Sequence, residues 1–197
     1  MSKHLDLGCG AVPRNPYRQR QLFGVDIAPQ PSTAVVEIRR ANVALEPIPY
    51  ADSSFDSVSA FDFLEHVPRV LPLPDGAGTR FPFVELMNEI SRVLVPGGRF
   101  YALTPCYPAE AVFSDPTHVN FLTRKTHAYF TGTAPVGRMY GFNGHFEVRR
   151  VEWGVHEDSI DAVAPLTFAQ RFRRLNHRLK GKLSHLVWEF VCTKPRA

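Results

Sequence analysis

The sequence has little cysteine and no long apolar run, and each shortage excludes a class of protein. The three cysteines, Cys9, Cys106 and Cys192, are too few and too scattered for a disulfide framework or a paired-cysteine metal site. No run approaches the roughly 18 apolar residues that a membrane span needs. The N-terminus lacks the apolar segment and small-residue cleavage site of a secretory signal. These shortages predict a cytoplasmic protein that does not span a membrane.

The remaining composition is ordinary for a folded protein, except in one segment. Hydrophobic residues make up 44% of the 197 residues and the formal net charge is only +4, which excludes global disorder. The length suits one compact unit, so we predict a single domain over residues 1–197. No acidic residue occurs between Asp161 and Glu189, a stretch that holds six cations. This local excess predicts contact with an anionic partner rather than a surface coated for duplex DNA.

Short, regularly spaced apolar runs predict seven strands. The runs cover residues 3–7, 22–27, 35–39, 57–61, 99–104, 145–151 and 186–193. Between the fourth and fifth runs, one apolar stripe at helical spacing predicts a helix: Phe83, Leu86, Met87, Ile90 and Leu94. The resulting βαβ unit requires parallel strands, so we predict an open α/β sheet with a nucleotide-type site at the carboxyl ends of its strands. Prolines between the first two runs leave little room for the usual first crossover helix.

A glycine turn follows the first strand and predicts a ligand site. In Leu5-Asp6-Leu7-Gly8-Cys9-Gly10, the two glycines let the backbone approach a ligand with no Cβ in the way. A dinucleotide fingerprint would have a third glycine at position 13, where this chain has Pro13. The pattern therefore favours a ligand whose amine Asp6 can bind over a ligand with a pyrophosphate.

A second acid follows at the end of the second run. Asp26 lies sixteen residues past Gly10, where a carboxylate can bind both hydroxyls of a ribose. The alternative is that Asp26 only caps the turn that follows it. The glycine turn and the acid together, at this spacing, favour a ligand with a ribose.

These motifs resemble the class I S-adenosylmethionine-dependent methyltransferases over nearly the whole chain. The matching segments are the first-strand turn and residues 24–27, 42–56, 64–67 and 92–98. The resemblance implies a Rossmann-like, doubly wound, mostly parallel seven-stranded sheet with an antiparallel last strand, and S-adenosylmethionine as cofactor. Residues 13–16 and 115–118 further resemble a bacterial branch associated with surface-polysaccharide biosynthesis.

The resemblance also implies the cofactor contacts. The first-strand turn would hold the methionine part of the cofactor. Asp26 would bind the ribose, Ile27 would pack on the adenine, and Phe61 would lie near the transferable methyl. Asn42 stands where the family usually has an acid, and its amide oxygen can still accept a hydrogen bond from the adenine amino group. The predicted cofactor residues are Asp6, Gly8, Cys9, Gly10, Asp26, Ile27, Asn42, Val43 and Phe61.

Methyl transfer from a sulfonium to a hydroxyl needs alignment of the acceptor and removal of its proton. We expect the base on the loops after the fourth and fifth strands. His118 is the predicted base, with Asp115 orienting its imidazole and His66 as a third catalytic side chain. The alternative is that Asp115 opens a proline turn and His118 caps the next helix.

A divalent cation is a second possibility for the same loops. If residues 62–67 form a helical turn, Asp62, Glu65 and His66 share one face and could bind a cation together with His118. The alternative is that these side chains only make hydrogen bonds near the cofactor. We assign no metal ligand on the sequence alone.

Another apolar stripe at helical spacing predicts an amphipathic helical insertion over about residues 165–185. Cations lie between its members, which are Phe168, Phe172, Leu175, Leu179 and Leu183. The helix could pack on the sheet with a solvated basic face, dock residues 168–183 on an anionic membrane surface, or clamp an anionic substrate. Nucleic acid is not expected as a partner, because the strip is narrow and lacks an aromatic platform.

The predicted function is O-methylation of a sugar or other small metabolite during polysaccharide assembly, with a small-molecule or glycan acceptor. The acceptor rests on resemblance alone, since a fold does not determine function. The alternatives are a nucleic-acid or protein methyltransferase that uses the basic helix, and a non-catalytic scaffold that only binds the cofactor.

Overall fold

The sheet is the frame of the molecule in the computed structural model, which describes residues 1–29 and 36–195. Its strands are β1 (Lys3–Leu7), β2 (Gln21–Asp26), β3 (Val36–Arg40), β4 (Phe55–Phe61), β5 (Leu94–Pro105), β6 (Phe146–Gly154) and β7 (His185–Cys192). Their spatial order is β3-β2-β1-β4-β5-β7-β6. Strands β1 to β5 pair in parallel, and β7 is antiparallel to both of its neighbours. The predicted fold class is confirmed; Val35, the predicted start of the third strand, lies outside the described residues.

Among the residues that the structure describes, three helices accompany the sheet: α1 (Pro82–Val93), α2 (Ala111–Ser114) and α3 (Phe168–Leu179). Helix α1 is the predicted crossover between β4 and β5, and it begins with Pro82 at its first turn, where the missing N–H costs no hydrogen bond. Its apolar stripe is buried against the sheet. The helix ends one residue earlier than predicted, because Leu94 is extended and already belongs to β5. Single turns of 3-10 helix cover Leu64–His66, Thr126–Tyr129, Val136–Tyr140 and His156–Asp158.

The connection from β1 to β2 contains no helix, as the prolines predict. Its Tyr17 packs instead on one face of the sheet beside Ala162, over a small buried cluster of Phe61, Tyr101, Leu103 and Val187. The Tyr17 hydroxyl donates a hydrogen bond to Glu189 (3.1 Å), and the N–H of Ala162 donates to the carbonyl of Pro16 (3.0 Å). Two loops therefore do the covering that a crossover helix would otherwise do.

Helix α3 is attached to the body in an unusual orientation. Thr167 and Gln170 cap its start reciprocally, which fixes where the helix begins. None of its residues is buried, and its apolar side chains point to solvent. The first of the three possibilities, a helix packed on the sheet with a solvated basic face, is therefore wrong. In the described part of the chain, no helix has the length and apolarity to cross a bilayer.

Candidate functional site

The glycine turn lies at the carboxyl end of β1, beside the ends of β2 and β4. Gly8 and Gly10 have φ of +63° and +57°, in the left-handed region that glycine occupies without strain. A Cβ on Gly8 would lie 2.5 Å from the ring of Phe63, so the turn packs closely under that ring. A Cβ on Gly10 would meet no atom within 4 Å. The turn is therefore closed at Gly8 and open to a ligand at Gly10.

Asp26 is held at the rim of this open side. One carboxylate oxygen accepts the N–H of Gly10 and the other accepts the N–H of Ala28, both at 2.9 Å. The turn-capping alternative is thus realised, yet each oxygen keeps a lone pair for a further donor. Ile27 follows with 62% of its surface exposed. A fixed carboxylate beside an exposed apolar side chain fits a ribose diol and a flat base.

Asp6 lies deeper than a direct ligand contact would require. Its carboxylate accepts the hydroxyl of Ser59 (2.5 Å) and the backbone N–H of Arg14 (2.7 Å), and the residue is fully buried. Burial raises the pKa of Asp6 to about 7, against the opposing effect of these hydrogen bonds. Ser59 also bonds His4, whose pKa burial lowers to about 3, so that this imidazole is neutral. In this conformation Asp6 anchors the loop that borders the ligand site.

The other predicted cofactor residues lie around the same turn. Cys9 is buried against Gly24, and burial raises the pKa of its thiol to about 12, so it packs as an unreactive side chain. Phe61 is buried at the end of β4, with the Arg14 guanidinium 5.0 Å from its ring centre. Val43 is buried and Asn42 is half-buried, just after β3.

His118 is oriented by a backbone carbonyl. Its Nδ1 lies 3.0 Å from the carbonyl oxygen of Val112, which can only accept, so Nδ1 carries the proton. The lone pair of the neutral ring is then on Nε2, as a general base needs. Asp115, the predicted orienting group, lies 3.9 Å from Nε2. The carboxylate of Asp115 instead bonds Thr117, and these hydrogen bonds hold its pKa below the usual value.

His66 joins the same group through Thr117. The Thr117 hydroxyl donates to Asp115 (2.6 Å) and lies 3.0 Å from Nδ1 of His66, which must then be the donor. The rings of His66 and His118 meet edge to face with centres 4.8 Å apart. The structure therefore brings together the three predicted catalytic residues, with a threonine that the sequence reasoning did not single out.

Glu65 lies under these two imidazoles. It is 1% exposed, and its side chain accepts the Thr104 hydroxyl at 2.9 Å. One carboxylate oxygen and one nitrogen of each of His66 and His118 lie within 4.8 Å of one another, a spacing that could hold a metal ion. Burial raises the pKa of Glu65 to about 7, although the Thr104 bond opposes the shift.

We expect the Glu65→Gln variant to flatten the pH dependence of stability. The pKa of Glu65 is about 7 in the folded chain against 4.5 for an ordinary glutamate, so between these values the folded chain binds more protons than the unfolded chain. Stability then falls as pH rises through this window, and Asp6 contributes in the same direction. Urea denaturation at about pH 5 and about pH 8 should show a smaller loss for the variant. An equal loss in variant and wild type would contradict the raised pKa.

Asp62 does not join this group. Of the four side chains considered for a cation, Glu65, His66 and His118 come together, and only the inclusion of Asp62 is wrong. The 3-10 helix spans only Leu64–His66, and Asp62 has a φ of +48° outside it. The carboxylate of Asp62 therefore turns away, to His156 (2.8 Å to Nε2) and His185 (3.3 Å to Nε2). Burial opposes the charged form of Asp62, but the hydrogen bonds and charges of the two imidazoles hold its pKa below the usual value.

Sequence reasoning missed His156 and His185. Both lie at the same sheet edge as the ligand turn, since His185 pairs with Pro105 and Gly154 where β5 and β6 end. The signal was present in the antiparallel last strand, whose first residue must lie at the edge where the parallel strands end. With Asp62 they form a second group of ligand atoms within 4.8 Å of one another.

Comparisons with known proteins agree with this geometry. Residues 5–102 match the model of a family described as a methyltransferase domain, and no curated protein sequence matches the chain. One similar chain comes from the Haloferax volcanii complex of the Trm112 methyltransferase activator with a methyltransferase. It is 15% identical to this chain, and the alignment covers 98% of this chain and 83% of that chain with a TM-score of 0.58. A Mesorhizobium loti S-adenosylmethionine-dependent methyltransferase is 14% identical, covering 96% and 90% with a TM-score of 0.54.

A third similar structure is the geranyl diphosphate C-methyltransferase of Streptomyces coelicolor, solved with Mg²⁺, geranyl diphosphate and S-adenosyl-L-homocysteine. It is 14% identical, covering 98% of this chain and 73% of that chain with a TM-score of 0.53. At such identities the structural similarity shows the shared fold and leaves the acceptor open.

Proposed function

We propose that this chain is a class I S-adenosylmethionine-dependent methyltransferase and that it methylates a hydroxyl oxygen of a sugar or other small metabolite. One observation carries the proposal: the Val112 carbonyl fixes His118 so that its Nε2 can accept a proton. His118 is nearly buried, with 9% of its side chain exposed, so the base works in a site with little competing water.

The cofactor fits the rim of the glycine turn. S-adenosylmethionine supplies the methyl group and the sulfonium leaving group when bound. Asp26 would bind its ribose hydroxyls and Ile27 would pack on its adenine. The open side of Gly10 leaves room for the methionine part, which extends from the ribose. Asp6 would act by holding the Arg14 segment beside the ligand.

The proposed proton transfer runs from the acceptor hydroxyl to Nε2 of His118. The imidazolium that results lies 3.9 Å from the Asp115 carboxylate, whose lowered pKa keeps it negatively charged. Thr117 fixes that carboxylate through its N–H (2.8 Å) and its hydroxyl, and the same hydroxyl positions His66. The sulfonium leaving group is already positively charged, so its departure needs no further activation.

Exposed aromatic rings beside the base support a sugar acceptor. Tyr107, Phe113 and Phe121 are 55%, 54% and 41% exposed, and Phe113 contacts both of the other rings. Phe113 directly follows Val112, which holds His118. A cluster of exposed rings of this kind is typical of a ligand surface, and the apolar faces of a pyranose can pack on it. This agrees with the resemblance to the polysaccharide-biosynthesis branch.

The test is release of S-adenosylhomocysteine from S-adenosylmethionine with a panel of acceptors. The panel holds free sugars, nucleotide sugars, lipid-linked glycans, RNA and a protein extract, and each is assayed with and without a chelator. Turnover with a glycan supports the proposal. Turnover only with RNA or protein would replace it by the alternative methyltransferase, and cofactor binding without turnover would favour a scaffold. Loss of activity in chelator that magnesium or manganese restores would assign the histidine groups to cation binding.

A further inference from the structure

The outer face of α3 is an apolar stripe with no covering element among the described residues. Phe168, Phe172, Leu175 and Leu179 are 86%, 64%, 52% and 78% exposed. Their spacing of four, three and four residues places them in one line along the helix. A helix on the surface of a globular protein normally turns such a stripe toward the core. Helix α3 does the reverse.

Specific polar contacts fix this orientation. The inner side of the helix carries Arg174, whose guanidinium bonds the Trp153 carbonyl and pairs with Glu152 at 2.9 Å. Arg173 pairs with Asp158 at 2.8 Å. The helix is thus held to the body through arginines, and its apolar stripe must face outward as long as these contacts persist.

Cations border the apolar stripe. At about 100° per residue, Arg171 and Arg178 project beside the stripe on one flank, and Lys180 and Lys182 follow the end of the helix. These four residues are exposed and form no ion pair within the described part of the chain. Residues 162–188 contain no carboxylate that could neutralise them. The face therefore combines bulky apolar side chains with uncompensated positive charge.

We propose that α3 docks this protein on an anionic lipid bilayer, with the apolar stripe buried at the boundary of headgroups and acyl chains. The flanking arginines and lysines would meet lipid phosphates, the arrangement that interfacial amphipathic helices use. A second copy of the chain is a poorer occupant, because pairing two such faces would bring like charges together. Twelve residues form a helix of about 18 Å, which is enough for peripheral, reversible binding.

Docking through α3 goes beyond methyl transfer and does not depend on it. The helix leads into β7, whose first residue, His185, lies at the sheet edge that also carries the ligand turn. A protein held to a bilayer through α3 would thus keep that edge near the membrane surface, where a lipid-linked acceptor is found.

The experiment is flotation of the full chain with vesicles of neutral phosphatidylcholine or with vesicles in which a third of the lipid is phosphatidylglycerol. We expect binding to the anionic vesicles only, weakened by salt. Phe168→Ser with Phe172→Ser should lower the vesicle affinity at least about tenfold, because two side chains no longer insert. Both residues are exposed, so the fold should survive, as circular dichroism can check. Met139→Ser, which removes a 73% exposed apolar side chain elsewhere, is the matched control and should bind as wild type.

Three outcomes would overturn the proposal. The wild type could stay unbound with anionic vesicles at low salt, or the double variant could bind as well as Met139→Ser. Light scattering could also show a dimer that the double variant breaks, which would make a second copy the occupant. Cofactor affinity measured by calorimetry is a separate readout, so a failure of docking is distinguishable from a failure of methyl transfer.

Discussion

Turnover of the His118→Ala variant falls about a hundredfold to ten-thousandfold, which is the range that loss of a general base produces. The affinity of the variant for S-adenosylmethionine stays that of the wild type. The reason is geometric. The Val112 carbonyl fixes the ring so that Nε2 faces away from the backbone with its lone pair, and alanine leaves no group to take the acceptor proton. Turnover is measured by S-adenosylhomocysteine release and affinity by calorimetry.

The control for this variant is His127→Ala. His127 is likewise a histidine whose Nδ1 bonds a backbone carbonyl, that of Arg124 (2.8 Å), but it lies outside both histidine groups. Its loss should leave turnover unchanged. Full activity in His118→Ala would remove His118 as the base, and equal losses in the two variants would indicate a general structural effect.

Cofactor affinity of the Asp26→Ala variant falls by more than about tenfold, as expected for loss of a charged bidentate contact to the ribose. The two backbone hydrogen bonds that Asp26 accepts preorganise its oxygens, so a ligand meets a carboxylate that is already in place. Titration calorimetry with S-adenosylmethionine measures the change directly.

Two further variants distinguish the loss of a ribose contact from the loss of the backbone hydrogen bonds that Asp26 accepts. Asp26→Asn keeps an oxygen that can accept one backbone N–H but loses the charge, so it should also bind more weakly than wild type. Asp56→Ala is the control, because Asp56 likewise is half-buried and accepts a backbone N–H, from Lys3 (2.7 Å), at the opposite end of the strands. Wild-type affinity in Asp26→Ala would end the ribose assignment.

The sheet, α1 and the ligand turn were predictable because each depends on local pattern. Short apolar runs predict the strands. An apolar stripe at helical spacing and a proline in the first turn predict α1. The glycine turn needs positive φ at Gly8 and Gly10, which few other residues tolerate. Such signals are contained in a few consecutive residues, so no tertiary contact was needed to find them.

The grouping of the polar side chains was not predictable in the same way. Asp62 bonds His156, 94 residues away, because its left-handed backbone turns the carboxylate from the helical face that the spacing suggested. The stripe on α3 was visible in the sequence, but its outward direction depends on Glu152 and Asp158, which only the folded chain brings to the arginines. Orientation in both cases is decided by partners distant in sequence.

The helix-free connection between β1 and β2 has a consequence for how a ligand enters. The segment is held by separate hydrogen bonds, among them Arg14 to Asp6 and Tyr17 to Glu189, and by the packing of Tyr17 on the buried cluster beneath it. Opening it breaks those bonds without unwinding a helix or separating sheet strands, so the cost is that of a local opening rather than of global unfolding. We therefore expect ligand exchange beside this segment to leave the sheet and α1 folded.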